Sequence, residues 1–230
     1  MPTYITGDKH GEFRTMLREL EFYNYPKGSI IIIAGDASIN YYGDSSDEIR
    51  KQKLNESGYI FFCIHGNREN RPENIDGYKV ETFKGGNVYV EEEYPNIKFA
   101  QDGEVYDFDG KSVLVLGGAY SVDKYYRLKN DWPWFEDEQM SKENKEKAEK
   151  NLDKHNWEVD VVISHTCPYN YRPVDMFIGG IDQSTVDTSM EEWLQEIEDG
   201  LGYKKWYCGH WHTERTVGNL EFLYDDIVEL

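Results

Sequence analysis

Trp206-Tyr207-Cys208-Gly209-His210-Trp211-His212 is the stretch from which the fold of this chain can be read. An apolar, strand-like run stops at a glycine and is followed at once by two histidines one residue apart. Alternate residues of a continuing strand share a face. Past the end of a strand, two such imidazoles can instead converge on one point or straddle two. The same junction, an apolar run and then a side chain able to bind metal, recurs four more times. Residues 3–6 lead into Gly7-Asp8-Lys9-His10-Gly11, residues 29–34 into Gly35-Asp36, residues 59–64 into Gly66-Asn67, and residues 159–164 into His165. Four consecutive isoleucines, Ile30 to Ile33, read as a strand buried on both faces, as in a parallel or mixed central sheet. Between the first two runs, Phe13, Met16, Leu17 and Leu20 recur at helical spacing. Residues 47–55, charged and helical, with Ser45 or Ser46 as the cap, separate the second run from the third. Strand, helix, strand, helix, strand is the logic of an α/β domain.

Further along, residues 70–78 read as a polar loop, and residues 80–109 as hairpins with short β runs at 87–90, 97–100 and 105–108. Residues 111–116 form another apolar strand, ending in Gly117-Gly118. An aromatic segment, 121–135, carries Lys124, Arg127 and Lys129. A charged helix is expected over 140–155, a loop over 166–188 and an amphipathic helix over 190–199, the last closed by Gly200 and Gly202. A closing hairpin is expected over 216–223. No repeat or linker breaks the pattern, so the 230 residues read as one domain.

A formal net charge of −19 argues against a broad basic groove for DNA or RNA. It leaves room for a small anionic substrate, because bound metal ions reverse the local sign of the field. Three cysteines without CxxC spacing read as reduced: Cys63 and Cys208 as small buried hydrophobes, Cys167 as a residue near the site. The chain starts without a basic and apolar leader, and no apolar run approaches a membrane span, so a soluble cytoplasmic protein is expected.

Asp8, His10, Asp36, Asn67, His165, His210 and His212 all stand at expected strand ends, where ligands collect in α/β sheets. Seven oxygen and nitrogen ligands with one carboxylate shared give two divalent ions four ligands each. In their order and spacing, Asp8-Lys9-His10, Gly35-Asp36, Gly66-Asn67-Arg68, His165 and Gly209-His210-Trp211-His212 resemble the motifs of the calcineurin-like metallophosphoesterases, over nearly the whole chain. The resemblance implies a four-layer α/β/β/α sandwich of two mixed sheets flanked by helices. It implies that Asp8, His10 and His212 hold one metal, Asn67, His165 and His210 a second, and that Asp36 bridges them. It further implies hydrolysis of phosphomonoesters or phosphodiesters by a metal-activated bridging water. Manganese is the metal expected, and iron, zinc and magnesium also suit the ligand set.

Two departures stand out. Where that family usually has a histidine to protonate the leaving group, this chain has Arg68. A guanidinium stays protonated near neutral pH and can clamp phosphate but not deliver a proton. Loss of a general acid costs about 10²–10⁴-fold, so a weakened or altered esterase is one expectation. A metal-holding relative that binds ligand without turnover is the alternative. After Asp36 the chain reads Ala37-Ser38-Ile39-Asn40, without the arginine of the protein Ser/Thr phosphatases, so a small phosphorylated substrate, such as a nucleotide, is expected over a phosphoprotein. A nuclease acting on extended nucleic acid is disfavoured by the charge. Besides Arg68, Arg71 and Arg127 are candidate phosphate contacts, with Lys124 behind them. Tyr120, Tyr125, Tyr126, Trp132 and Trp134 are expected to cover the sheet more than to wall a pocket. His65 and His155 read as structural.

Overall fold

The isoleucine run builds the centre of one sheet. The computed structural model describes residues 1–177, 179–180 and 183–230. In it β2 (Ile30–Ile33) lies parallel to β1 (Thr3–Thr6) on one side and to β3 (Ile60–Cys63) on the other. All four isoleucines are fully buried, as a strand covered on both faces requires. Their side chains alternate, and the core divides accordingly. Ile30 and Ile32 face the interior with Phe62, Val113, Val115 and Ile163. Ile31 and Ile33 face outward against Phe13, Met16, Leu20 and Leu54.

The remaining strands are β4 (Tyr78–Phe83), β5 (Gly86–Glu91), β6 (Ile97–Ala100), β7 (Val105–Phe108), β8 (Lys111–Leu116), β9 (Val161–Ser164), β10 (Lys205–Cys208), β11 (Arg215–Val217), β12 (Leu220–Phe222) and β13 (Val228–Glu229). Among the described residues they form two mixed sheets. One has the order β13-β1-β2-β3-β6-β5-β4 and the other β11-β12-β10-β9-β8-β7. In the second sheet β8, β9, β10 and β12 run parallel, and β7 and β11 lie antiparallel at its edges.

Helices α1 (Arg14–Phe22) and α2 (Ser45–Asn55) cover the first sheet through Met16, Leu20 and Leu54. Beyond the short α3 (Lys124–Lys129), helices α4 (Lys142–Lys154) and α5 (Ser189–Gly200) cover the second sheet. They bury Ala148, Leu152, Trp193, Leu194 and Ile197 against Leu114, Val162 and Trp206. Helix, sheet, sheet, helix is the four-layer α/β sandwich expected from the sequence.

Several details differ from the sequence reading. The cap of α2 is Asp44, one residue before the expected serines, and its carboxylate accepts from the Ser46 amide at 2.8 Å. Edge strand β4 begins at Tyr78, inside the expected loop, because all six of its residues pair with β5. Strand β13 was not expected at all; two residues suffice to pair with β1 at the sheet edge. The segment 166–188 holds 3-10 turns at Tyr169–Tyr171 and Val174–Met176, and its residues 178, 181 and 182 lie outside the described residues. All three cysteines are buried and free. Cys167, expected to line the site, is fully buried in the core beneath α5, with Trp211 packed against the same cluster, and does not reach open space. No helix among the described residues is long and apolar enough to cross a membrane.

Candidate metal centre

Parallel strands bring their carboxyl ends to one edge. β1, β2 and β3 from one sheet, and β9 and β10 from the other, therefore deliver the residues that follow them to one place. The turns that do so are unusual. His10, Asp36, His210 and His212 have φ of 46°, 47°, 65° and 47°, left-handed values that non-glycine residues seldom adopt. Each costs on the order of 1–3 kcal/mol and persists only where surrounding structure dictates it. Here the amides of Lys9 and His10 both donate to the Asp36 carbonyl, at 3.1 and 2.8 Å, which locks the first two turns together. Two glycines permit the closest approaches. A β-carbon on Gly66 would collide with the Asp36 carboxylate and amide, and one on Gly209 with the Asp8 carboxylate and the Ala34 carbonyl.

The side chains then face one another through their lone pairs. Nε2 of His10 and Nε2 of His212 lie 2.8 Å apart. Asp8 Oδ2 is buried without a conventional hydrogen bond, 3.2 Å from His212 Nε2 and 3.7 Å from His10 Nε2. Its other oxygen accepts from the His210 amide at 2.8 Å. Asp36 reaches both halves of the cluster: Oδ2 is 3.7 Å from His10 Nδ1 and Oδ1 is 3.6 Å from His165 Nε2. His165 Nδ1 lies 2.9 Å from the Ala34 carbonyl oxygen. A carbonyl only accepts, so in a neutral ring this contact assigns the proton to Nδ1 and leaves the Nε2 lone pair facing Asn67 Oδ1 at 2.9 Å. The same Asn67 oxygen is 3.0 Å from His210 Nδ1.

Acceptors aimed at acceptors, around an orphaned buried carboxylate oxygen, are what a cation would resolve. Two carboxylate and imidazole groups fit one ion each by geometry: Asp8, His10 and His212, and Asp8, Asp36 and His165. Asp8 therefore enters both groups, whereas Asp36, the bridge that the resemblance implies, enters the second. These Asp and His groups are positioned to hold a metal ion. The electrostatics agree. Burial drives the His210 imidazole down to about 3, with His165 adding to the effect. Burial works to raise the Asp8 carboxyl, yet His165, His212 and His10 around it hold it well below the usual carboxylate range. Deprotonated carboxylate and neutral imidazole are the forms that bind metal.

Behind these groups sits Glu69, fully buried and missed by the sequence reading. Its oxygens accept from the Ser38 and Gly66 amides, both at 3.2 Å, tying the β2 turn to the β3 turn. Burial, and after it the neighbouring Asp36, push its carboxyl up to about 8 from an ordinary 4.5. The folded chain thus keeps a proton on Glu69 that the unfolded chain gives up. The corresponding stability is full below pH 4.5 and lost as pH rises through 8. In metal-free protein the urea midpoint is expected to drop from about pH 4.5 to about pH 8 and to level off above it, and Glu69→Gln to flatten that drop. A pH profile identical in the two proteins would contradict this role.

Of the three candidate arginines, only Arg68 reaches open space. Its amide donates to Asp36 Oδ1 at 2.7 Å and its guanidinium pairs with Asp123 at 2.5 Å. It lines a cavity of about 400 Å³ that His10 and His212 also border. Arg71 and Arg127, expected as phosphate contacts, are structural instead. Arg71 is buried, ion-paired with Asp102 at 2.7 Å and bonded to the carbonyls of Asp137 and Gln139. Arg127 is fully buried and bonds the Asn67 and Pro133 carbonyls and Ser121 Oγ. Ser121 in turn accepts from Asn67 Nδ2 at 2.9 Å, so Arg127 orients a site residue without facing the cavity. Lys124 lies over the Trp134 ring at 3.9 Å. Tyr125, Tyr126 and Trp132, expected to cover the sheet, are substantially exposed, and Trp132 lines the cavity together with Tyr41, Tyr42 and Arg50. None of those last three carried a signal in sequence: they lie in a polar loop and on a charged helix.

No protein-family model and no curated protein matches the chain. Solved structures do. The crystal structure of TT1561 of Thermus thermophilus superposes with a TM-score of 0.50 at 12% identity, covering 97% of this chain and 89% of that one. A second solved structure reaches 0.46 at 14% identity over 97% of this chain and 90% of its own. At 12% identity the likeness to TT1561 is one of fold.

Proposed function

We propose that this chain hydrolyses phosphoester bonds at a centre of two divalent ions held by Asp8, His10, Asp36, Asn67, His165, His210 and His212. The observation that carries the reading is the convergence of these oxygen and nitrogen donors, from five strand ends, with unshared lone pairs facing one another. Manganese, iron, zinc and magnesium all accept such mixed donors, and manganese is our assignment. When bound, a pair of such ions supplies an acidified water and offsets charge on the phosphoryl oxygens.

The chain's own groups do the rest. Asp36 stands between the two halves of the cluster and is itself fixed by the Arg68 amide. The Ala34 carbonyl holds the His165 ring so that Nε2 points inward. Arg68, at the mouth, offers a guanidinium to the phosphate oxygens. It cannot return a proton to the leaving group, so turnover favours esters whose leaving group is already acidic. The acidic chain and the modest cavity support a small phosphorylated substrate over a long polynucleotide.

The test is hydrolysis of an aryl phosphomonoester and an aryl phosphodiester, with Mn²⁺ or with chelator, by this protein and by Arg68→His. Metal-dependent turnover by this protein is expected. The histidine variant should add about 10²-fold or more on alkyl esters and little on aryl esters. Activity confined to the histidine variant would favour a relative that binds ligand without turnover. Absence of turnover and of metal binding in both would sink the proposal.

A further inference from the structure

The cavity beside His10 and His212 is electrostatically at odds with the rest of the molecule. The chain has 44 acidic residues against 25 lysines and arginines. Yet among the described residues no acidic one lines this space, whereas Arg50 and Arg68 both do. Each arginine is held from behind. Arg50 Nη1 donates to Asp47 Oδ1 at 3.0 Å and to the Ser38 carbonyl at 3.4 Å. Asp47 is in turn pinned by the amides of Tyr42 and Gly43. Arg68 uses Nη2 on Asp123. Among the described residues, the other N–H donors of both guanidinium groups have no protein acceptor. The rest of the lining is largely aromatic, and the Arg50 guanidinium lies over the Tyr42 ring, 5.2 Å from its centroid. Tyr41 and Tyr42 meet edge-on with centroids 4.7 Å apart, and Trp132 packs edge-on against Tyr126 at 5.5 Å. Tyr42 and Trp132 keep about half their surface exposed, 53% and 49%.

A reacting phosphoryl group has its charge offset by the metal ions beside it. Arg50 and Arg68 each spend one nitrogen on an aspartate, and their remaining N–H donors can bind a second anionic group beyond that phosphoryl. A volume of about 400 Å³ falls in the range that encloses a small organic molecule, well beyond a lone phosphoryl. Trp132, half-exposed and held at its edge by Tyr126, offers a face on which a planar system stacks.

We infer that this cavity seats the non-reacting end of the substrate and selects phosphoesters carrying a second anionic group and a planar ring, the chemistry of a nucleoside polyphosphate. Arg68 sits with the reacting phosphoryl, Arg50 takes the second phosphate, and Trp132 takes the base. The inference rests on the phosphoesterase reading for which phosphoryl reacts, but its test does not require turnover.

That test is calorimetric titration of the Mn²⁺-loaded protein with three probes: the methylene-bridged analogue of adenosine diphosphate, methylenediphosphonate and inorganic phosphate. The nucleotide analogue is expected to bind at least about 10-fold tighter than inorganic phosphate. Arg50→Gln should remove most of that preference, by about 10-fold. Trp132→Ala should narrow the gap between the analogue and methylenediphosphonate, which lacks the ring. Arg50→Lys, which keeps a cation beside Asp47, covers the case in which the glutamine variant does not fold. An analogue bound no better than inorganic phosphate, or equal losses for all probes in the Arg50 variants, would overturn the inference. Arg50-dependent nucleotide binding without hydrolysis of any ester would leave the cavity assignment standing and remove the phosphoesterase reading. Turnover of simple aryl phosphates without nucleotide preference would do the reverse.

Discussion

Replacing Asp36 with asparagine is expected to lower metal-dependent turnover by at least about 100-fold while the protein stays folded. Loss of a group that merely supports a ligand costs about 10–100-fold in metal affinity or activity, and Asp36 lies closer to the cluster than that. Its two oxygens reach toward His10 and His165, so one amide in its place loses charge at both halves together. The fold should tolerate the change for three reasons. Asparagine visits the left-handed conformation that Asp36 occupies at φ 47°. Its side-chain oxygen can still accept from the Arg68 amide, now at 2.7 Å. Removing a buried negative charge next to Glu69 also relieves a repulsion that raises the Glu69 carboxyl. Equal turnover by the variant and the parent, compared by initial rates in Mn²⁺, would show that Asp36 does not serve the reaction. Loss of turnover together with loss of fold would show that it serves structure.

Gly66→Ala is expected to destabilise the protein by about 3 kcal/mol or more, at the upper end of what overpacking costs. The added β-carbon would meet the Asp36 amide nitrogen and α-carbon, not only the carboxylate. A flexible side chain could swing away, but backbone cannot, and this backbone is tied to Lys9 and His10 through the Asp36 carbonyl. The turn carrying Asp36 must therefore shift, and metal affinity should fall with stability. Gly200→Ala is the control: its nearest neighbours would be Trp157 ring carbons at 3.6 and 3.7 Å, ordinary contact. It sits at the end of α5, where alanine is neutral to stabilising. Denaturant unfolding with chelator present separates the two effects. Similar midpoints for the two variants would mean that the β2 and β3 turns are not packed as described.

How much of this was legible in the sequence depends on where each group's role is decided. Ile30 to Ile33 announced a doubly covered strand because burial on both faces is written directly into residue type. The glycine-then-ligand junctions announced the site because parallel strands necessarily deliver their ends to one edge. The backbone of Asp36 and His210 explains why glycines precede both: the chain has to turn at once, and a preceding β-carbon would strike His165 or Asp8. Arg71 and Arg127 misled because a cation next to a motif looks the same whether it meets substrate or a carboxylate across the fold. Asp102, which holds Arg71, is 31 residues away in sequence. Arg50 and Glu69 escaped notice for the converse reason. On α2, Arg50 reads as one charge among many on a solvated face. Glu69 reads as an ordinary loop acid, and only tertiary packing reveals it wedged between two turns. Strand β13 has two residues and no pattern to read.

The most direct measurement is a titration of Mn²⁺ into metal-stripped protein, followed by calorimetry and elemental analysis. Two ions per chain, released by chelator, are expected. His210→Ala and His212→Ala should each weaken a different one of the two binding steps, because their rings lie with Asn67 and His165 in one case and with Asp8 and His10 in the other. Absence of saturable binding, or binding unchanged by both variants, would contradict the claim that these strand-end side chains form a metal centre.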